Sequence, residues 1–173
     1  MKTGYKKVEE LVTSGQNVVC LEGDVATGKS TALRFLVEQL KKSKQANVYS
    51  NYPDTPGVLH TEKEAPSIAS LDIATLSSVD TFTVIAIDET LLTVGNDTSS
   101  TLCGYHHLSY EEMQAIIDAS KTNKQVVVLL TAQRLNQLPR WISNSVLLTL
   151  ATERIAPSII GLSTKPLAFD IHL

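Results

Sequence analysis

A chain of 173 residues with 43% hydrophobic content can bury one core of ordinary size, which fits a single domain over residues 1–173. A net charge of −3 excludes a generally basic nucleic-acid coat. The only cysteines, Cys20 and Cys103, have neither zinc-site nor disulfide-framework spacing, which points to a reducing, cytoplasmic setting.

The charge is unevenly spread. Residues 1–50 carry +3, residues 51–110 carry −7 and residues 111–173 carry +1. A solvated acidic middle is the simplest account of most of these charges. The start, "MKTGYKKVEELV", has basic residues without an apolar core segment, so a signal peptide is not expected. No apolar run is long enough for a transmembrane segment.

In chain order, Val8, Leu11 and Val12 recur at helical spacing within a short helix from Tyr5 to Thr13. "VVCLE", Val18 to Glu22, is a compact apolar strand with Cys20 as a buried thiol. "GDVATGKST" follows, and then "STALRFLVEQLKKSK" predicts a helix. Its apolar face holds Ala32, Leu33, Phe35, Leu36 and Leu40, and lysines gather at its C-terminal end. "NVYSN", Asn47 to Asn51, is a second strand, and Ala69 to Leu76 predicts a short helix. "FTVIAIDE", Phe82 to Glu89, is a buried strand ending in two acids. Residues 91–108 are polar and loop-like. Ser109 with Glu112 three residues later predicts a capping box on the next helix, whose core face holds Met113, Ile116 and Ile117. "QVVVLLTAQR" is another buried strand, and "LNQLPRWISNS" a connection with a helical turn. "VLLTL", "RIAPSIIGLS" and "PLAFDIHL" complete the chain as a β-rich edge. The alternation of strand and helix over the first two-thirds predicts an α/β fold, a parallel sheet flanked by helices.

Gly23, Asp24, Val25, Ala26, Thr27, Gly28, Lys29, Ser30 and Thr31 form the first candidate site. The two glycines let the backbone turn tightly, so that successive N–H groups point inward at phosphate oxygens. The following helix adds the positive end of its dipole. Lys29 is placed to reach the outer phosphates, and the Ser30 hydroxyl to ligate Mg²⁺. Asp88 ends an apolar strand, where the ligand crevice of a parallel sheet lies, and is a candidate Mg²⁺ holder. Glu89, next to it, can orient and deprotonate a water. Gln133 follows a third strand; its amide can donate and accept, and so can sense a phosphate while holding a water. Arg134 and Arg140, and below them Arg154, are candidates for a transition-state arginine, though each also suits ordinary surface packing. His106 and His107 have no Cys or acidic partner at ligand spacing and are expected to face solvent or a partner. Trp141 is expected to anchor the edge of the core.

These three motifs, "GDVATGKS", "VIAIDE" and "VVVLLTAQR", stand in the order found in P-loop NTPases of the additional-strand, catalytic-glutamate type. The strand ending in Gln resembles the FtsK–HerA superfamily of DNA pumps. Relatives there include viral genome-packaging ATPases and Zot-like phage morphogenesis ATPases. "NVYSNYP" and "TAQRLNQLPRWISNS" are similar to further segments of that group. The resemblance covers about residues 16–150 and leaves 151–173 as a β-rich tail. It implies ATP and Mg²⁺ as cofactors, hydrolysis with Glu89, Lys29 and Gln133 as catalytic residues, and Ser30 and Asp88 at the metal. It also implies a homo-oligomeric ring and double-stranded DNA as cargo, with virion or membrane-vertex proteins as further partners. Zot-like proteins usually carry a membrane span after the ATPase domain, and its absence here favours the packaging or cytosolic-motor relatives. No arginine finger is carried over, and DNA enters by resemblance alone. Two alternatives stand beside the motor. "VIAIDE" is also similar to a strand of thymidine kinases, whose zinc-ribbon cysteines this sequence lacks. A nucleotide-dependent assembly protein that binds ATP without turning it over is the other.

Overall fold

A computed structural model describes residues 2–52, 67–96, 104–156 and 159–165. Helix α1 spans Lys2–Thr13, and strand β1 spans Val18–Glu22. Helix α2 covers Lys29–Lys44 and strand β2 covers Asn47–Ser50. Strand β3 is Thr83–Ile87, α3 is Thr90–Thr93 and α4 is Tyr110–Thr122. Strand β4 is Val126–Ala132 and α5 is Arg140–Ser143. Strands β5, Leu148–Ala156, and β6, Ile159–Lys165, end the described chain.

One six-stranded sheet has the order β2-β3-β4-β1-β5-β6. The first five strands are mutually parallel, and β6 pairs antiparallel with β5 at the edge. The α/β expectation and the β-rich edge both hold. Strand β4 lies between β1 and β3, so the strand that leads into Gln133 separates the loop strand from the two-acid strand. Residues 166–173, expected to be β-rich, lie outside the described residues, as does Cys103.

Alternate residues of each central strand feed two cores, because successive side chains point to opposite faces. Val18, Cys20, Ile85, Ile87, Val128 and Leu130 pack with Met113, Ile116 and Ile117 of α4. Val19, Leu21, Val84, Ala86, Val127 and Leu129 pack with Leu33, Leu36 and Leu40 of α2 and with Val8 and Val12 of α1. Each fully buried leucine contributes roughly 1.5–3 kcal/mol relative to exposure. Burial on both faces explains why these strands are continuous apolar runs rather than alternating ones. Trp141 lies partly buried against the first core and meets Tyr110 edge-on, with ring centroids 5.9 Å apart.

Local signals act as expected at α4. The Ser109 hydroxyl accepts from the Glu112 N–H at 3.1 Å, and the Glu112 carboxylate accepts from the Ser109 N–H at 2.8 Å. The expected helix at 69–76 is instead a pair of 3-10 turns, Ile68–Ser70 and Ile73–Ser78. Dense hydroxyl and carboxylate side chains are the physical reason. Asp72 accepts from the Ala74 N–H, Thr75 donates to the Asp72 carbonyl, and Ser78 donates to the Thr75 carbonyl. Such bonds compete with the α-helical ladder. Residues 91–108, expected as loop, begin within α3, and a parallel bridge joins Val94 to Leu108. Among the described residues no helix is long and apolar enough to cross a membrane.

Cys20 is wholly buried, and burial, with the Glu22 carboxylate adding to it, pushes its thiol up to about 12. The native chain therefore keeps a proton that the unfolded chain loses above its ordinary thiol pKa. Stability falls as pH rises from that ordinary value toward about 12. In a Cys103→Ser variant, a thiol-specific reagent at pH 8 is expected to label the native protein far more slowly than the urea-unfolded one. Equal rates would show that Cys20 is accessible.

Candidate active site

The turn from β1 into α2 is built for close approach. Gly28 sits at φ 90° as the N-cap of α2, and Ala26 at φ 61°. A Cβ on Gly28 would fall 2.8 Å from the Ile160 Cγ1, so both backbone angle and space select glycine there. A Cβ on Gly23 would fall 2.6 Å from the Thr27 hydroxyl and 2.9 Å from the Thr152 carbonyl. Strand β5 therefore supports the loop. The Thr152 hydroxyl lies 2.8 Å from that of Thr27 and 3.2 Å from the Glu22 carbonyl. Strand β4 supports it too, since the Gly23 N–H donates to the Ala132 carbonyl at 3.3 Å.

Helix α2 has 16 residues and no side-chain cap on its first turn. Its leading N–H groups have no intrahelical acceptor. Lys29 is buried, and its ammonium donates to the Asp24 carbonyl at 3.0 Å. Arg134 pairs with the Asp24 carboxylate at 2.6 Å, which places this arginine beside the loop within the same chain. Both partners are largely exposed, so the pair adds little stability. Val25, at the tip, is 73% exposed.

Asp88 is fully buried directly after β3. The Thr131 hydroxyl donates to its Oδ1 at 2.7 Å, the Glu89 N–H to the same oxygen at 3.1 Å, and the Tyr105 hydroxyl to Oδ2 at 3.2 Å. Asn51, 1% exposed, grips the backbone of the same residue. It accepts from the Asp88 N–H at 2.8 Å and donates to the Asp88 carbonyl at 3.1 Å and to the Thr93 hydroxyl at 2.9 Å. Glu89 follows in the left-handed region, φ 51° and ψ 48°. Such a conformation costs a non-glycine residue about 1–3 kcal/mol and persists where surroundings over-determine it. Here the Glu89 N–H donates to the Thr131 hydroxyl at 2.8 Å, and its carbonyl accepts from the Thr93 hydroxyl at 3.1 Å.

Among the described residues no cation pairs with Asp88. A buried carboxylate held only by neutral donors fits a divalent ion that arrives with its own ligands. No group of three or more His, Cys, Asp or Glu is arranged for a metal among the described residues.

Gln133 is exposed immediately beyond β4, next to the Ala132 carbonyl that holds Gly23. Arg140 is exposed at the start of α5, and no hydrogen bond or ion pair joins its side chain to the loop among the described residues. The side chain of Arg154 lies outside the described residues. The fold thus brings Lys29, Asp24 and Arg134 together, and Asp88 with Glu89, at the C-terminal ends of the parallel strands.

Sequence reasoning missed Asn51 as an anchor, Thr131, Thr152 and Tyr105. It also missed Arg34, whose guanidinium carbon lies 4.9 Å from the Tyr52 ring centroid. Burial, and then the Asp88 charge, push the Tyr105 phenol above its ordinary value, while Arg34 pulls the other way. Only Asn51 left a signal, a polar residue closing an apolar strand.

A pilus retraction motor, PilT with bound ADP, superposes with a TM-score of 0.54 at 13% identity, over 95% of this chain and 51% of that one. The fold is that of the P-loop NTPases. This chain spans about half the length of PilT. The genome-packaging NTPase B204 of Sulfolobus turreted icosahedral virus 2, in complex with ATP-γS, gives a TM-score of 0.48 at 13% identity, over 83% of this chain and 78% of that one. No protein-family model matches the sequence. No curated protein matches it either. Gly23–Thr31 join the C-terminal end of β1 to the N-terminus of α2.

Proposed function

We propose that this chain hydrolyses ATP with Mg²⁺ as a P-loop motor. The observation that carries the proposal is the meeting, at one end of the sheet, of three features. They are a helix N-terminus without a side-chain cap beside a buried lysine, a buried carboxylate with no cation partner among the described residues, and a glutamate locked in a left-handed turn beside it.

In this reading the loop amides and Lys29 bind the phosphates. Ser30 and Asp88 hold the metal, which when bound neutralises charge on the transferred phosphoryl group. Glu89 takes the proton of the attacking water, and Gln133 orients that water and senses the outer phosphate. Arg134, paired with Asp24, is a candidate for a transition-state arginine from the same chain, and Arg140 for the one that a neighbouring subunit would present. Double-stranded DNA as cargo, in a homo-oligomeric ring working in the cytoplasm, is supported by the likeness of the three motifs to DNA pumps.

The test is phosphate release with and without double-stranded DNA, read beside the mass of the particle in solution. Release in Mg²⁺ without any added acceptor, stimulated several-fold by DNA in a particle of several subunits, is expected. ATP that stays intact until a nucleoside is supplied would make the chain a kinase and overturn the motor.

A further inference from the structure

The two carboxylate oxygens of Asp88 differ in what they have left to offer. Oδ1 already accepts from the Thr131 hydroxyl at 2.7 Å and from the Glu89 N–H at 3.1 Å. Oδ2 accepts, among the described residues, only from the Tyr105 hydroxyl at 3.2 Å. Among the described residues, the lone pair left free on this buried side chain is therefore on Oδ2, the oxygen able to meet a cation or one of its waters. The Tyr105 bond is longer than an ordinary hydroxyl–oxygen bond, which leaves Oδ2 room to share itself.

Tyr105 is not placed by its ring alone. The next residue, His106, donates its N–H to the Asn51 carbonyl at 2.8 Å. Leu108 donates to the Thr93 carbonyl at 2.8 Å, and Gly95 donates to the Leu108 carbonyl at 2.9 Å. Asn51 and Thr93 are the two residues whose side chains hold the Asp88 backbone. One patch thus fixes both the main chain of Asp88 and the donor on its outer oxygen.

We propose that Tyr105 is a positioning residue that aims Oδ2 of Asp88 at the nucleotide-borne metal, and that residues 104–108 set metal affinity through it. The inference rests on the ATPase reading above. A group that orients a metal-binding carboxylate is typically worth tenfold or more in metal affinity. Among the described residues the phenol bonds to Asp88 and not to the Gly23–Thr31 loop, so nucleotide binding in the absence of metal is expected not to depend on it.

The experiment uses the full chain and the variant Tyr105→Phe, which keeps the ring and removes only the hydroxyl. ADP affinity is measured by calorimetry in EDTA and then across a Mg²⁺ titration, and melting temperature is recorded in EDTA. The expected result is an ADP affinity in EDTA within twofold of the parent and a Mg²⁺ midpoint raised about tenfold. In an Asp88→Asn background, Tyr105→Phe is expected to add no further shift. An unchanged Mg²⁺ midpoint overturns the proposal, even if the melting temperature falls, because a merely structural hydroxyl would give that pattern. A parent chain whose ADP affinity ignores Mg²⁺ overturns the ATPase reading itself, and this inference with it, so the two failures are distinct.

Discussion

Glu89→Gln is expected to leave nucleotide binding intact and to lower ATP turnover about 10²–10⁴-fold, the usual contribution of a positioned general base. The substitution replaces one carboxylate oxygen with an amide of the same size, so packing is unchanged. The backbone of residue 89 is held by the Thr131 and Thr93 hydroxyls and by its own helical carbonyl bonds, not by its side chain. The geometry therefore survives, and only the proton acceptor is lost. A companion variant separates chemistry from strain. Glu89→Gly is expected to lower turnover equally while raising unfolding stability by about 1 kcal/mol, because glycine adopts φ 51° without steric cost. Phosphate release, nucleotide binding and urea unfolding, measured on the same preparations, check both. Turnover within threefold of the parent in Glu89→Gln would remove Glu89 from the catalytic role.

Asn51→Ala is expected to destabilise the fold by about 3 kcal/mol, with a melting temperature lower by roughly 6–12 °C. Its amide makes three hydrogen bonds in a site with no access to water: from the Asp88 N–H, to the Asp88 carbonyl and to the Thr93 hydroxyl. Truncation removes all three at once. The Asp88 N–H is then left buried without its acceptor, and an orphaned buried donor costs more than a hydrogen bond contributes. The loss reaches the candidate site as well. The end of β3 is freed next to the residues proposed for metal and water, so metal-dependent nucleotide binding should weaken more than binding in EDTA. Thermal and urea unfolding, with ADP titrations in both conditions, measure this. A stability change under about 1 kcal/mol would mean that Thr93 alone holds the strand end.

Much of the fold was legible in the sequence because it is encoded locally. The runs Val18–Leu21, Val84–Ile87 and Val126–Leu130 are apolar at every position, which only a strand covered on both faces tolerates. The loop Gly23–Thr31 carries its turn chemistry in its own residues, and Ser109 with Glu112 announces a helix start at the correct place. Where local signals conflict, the reading slipped. Ile68–Ser78 has apolar residues at helical spacing but also a Ser, Thr and Asp at nearly every turn. The side-chain bonds to the backbone prevailed, and 3-10 turns formed.

The sequence by itself determined the strand–loop–helix unit, the two acids at the end of β3 and the parallel character of the sheet, since composition and periodicity act within a few residues. The tertiary structure alone decided the neighbours of Asp88. Asn51, Tyr105 and Thr131 lie 37, 17 and 43 residues from it in the chain. The support that Thr152 gives the loop spans 130 residues. None of these residues has a pattern of its own. Asn51 becomes a partner because β2 pairs with β3, Tyr105 because its neighbour His106 bonds to Asn51, Thr131 because β4 pairs with β3, and Thr152 because β5 pairs with β1. Strand order and register, set by the packing of two cores against one sheet, turn scattered polar residues into a single network.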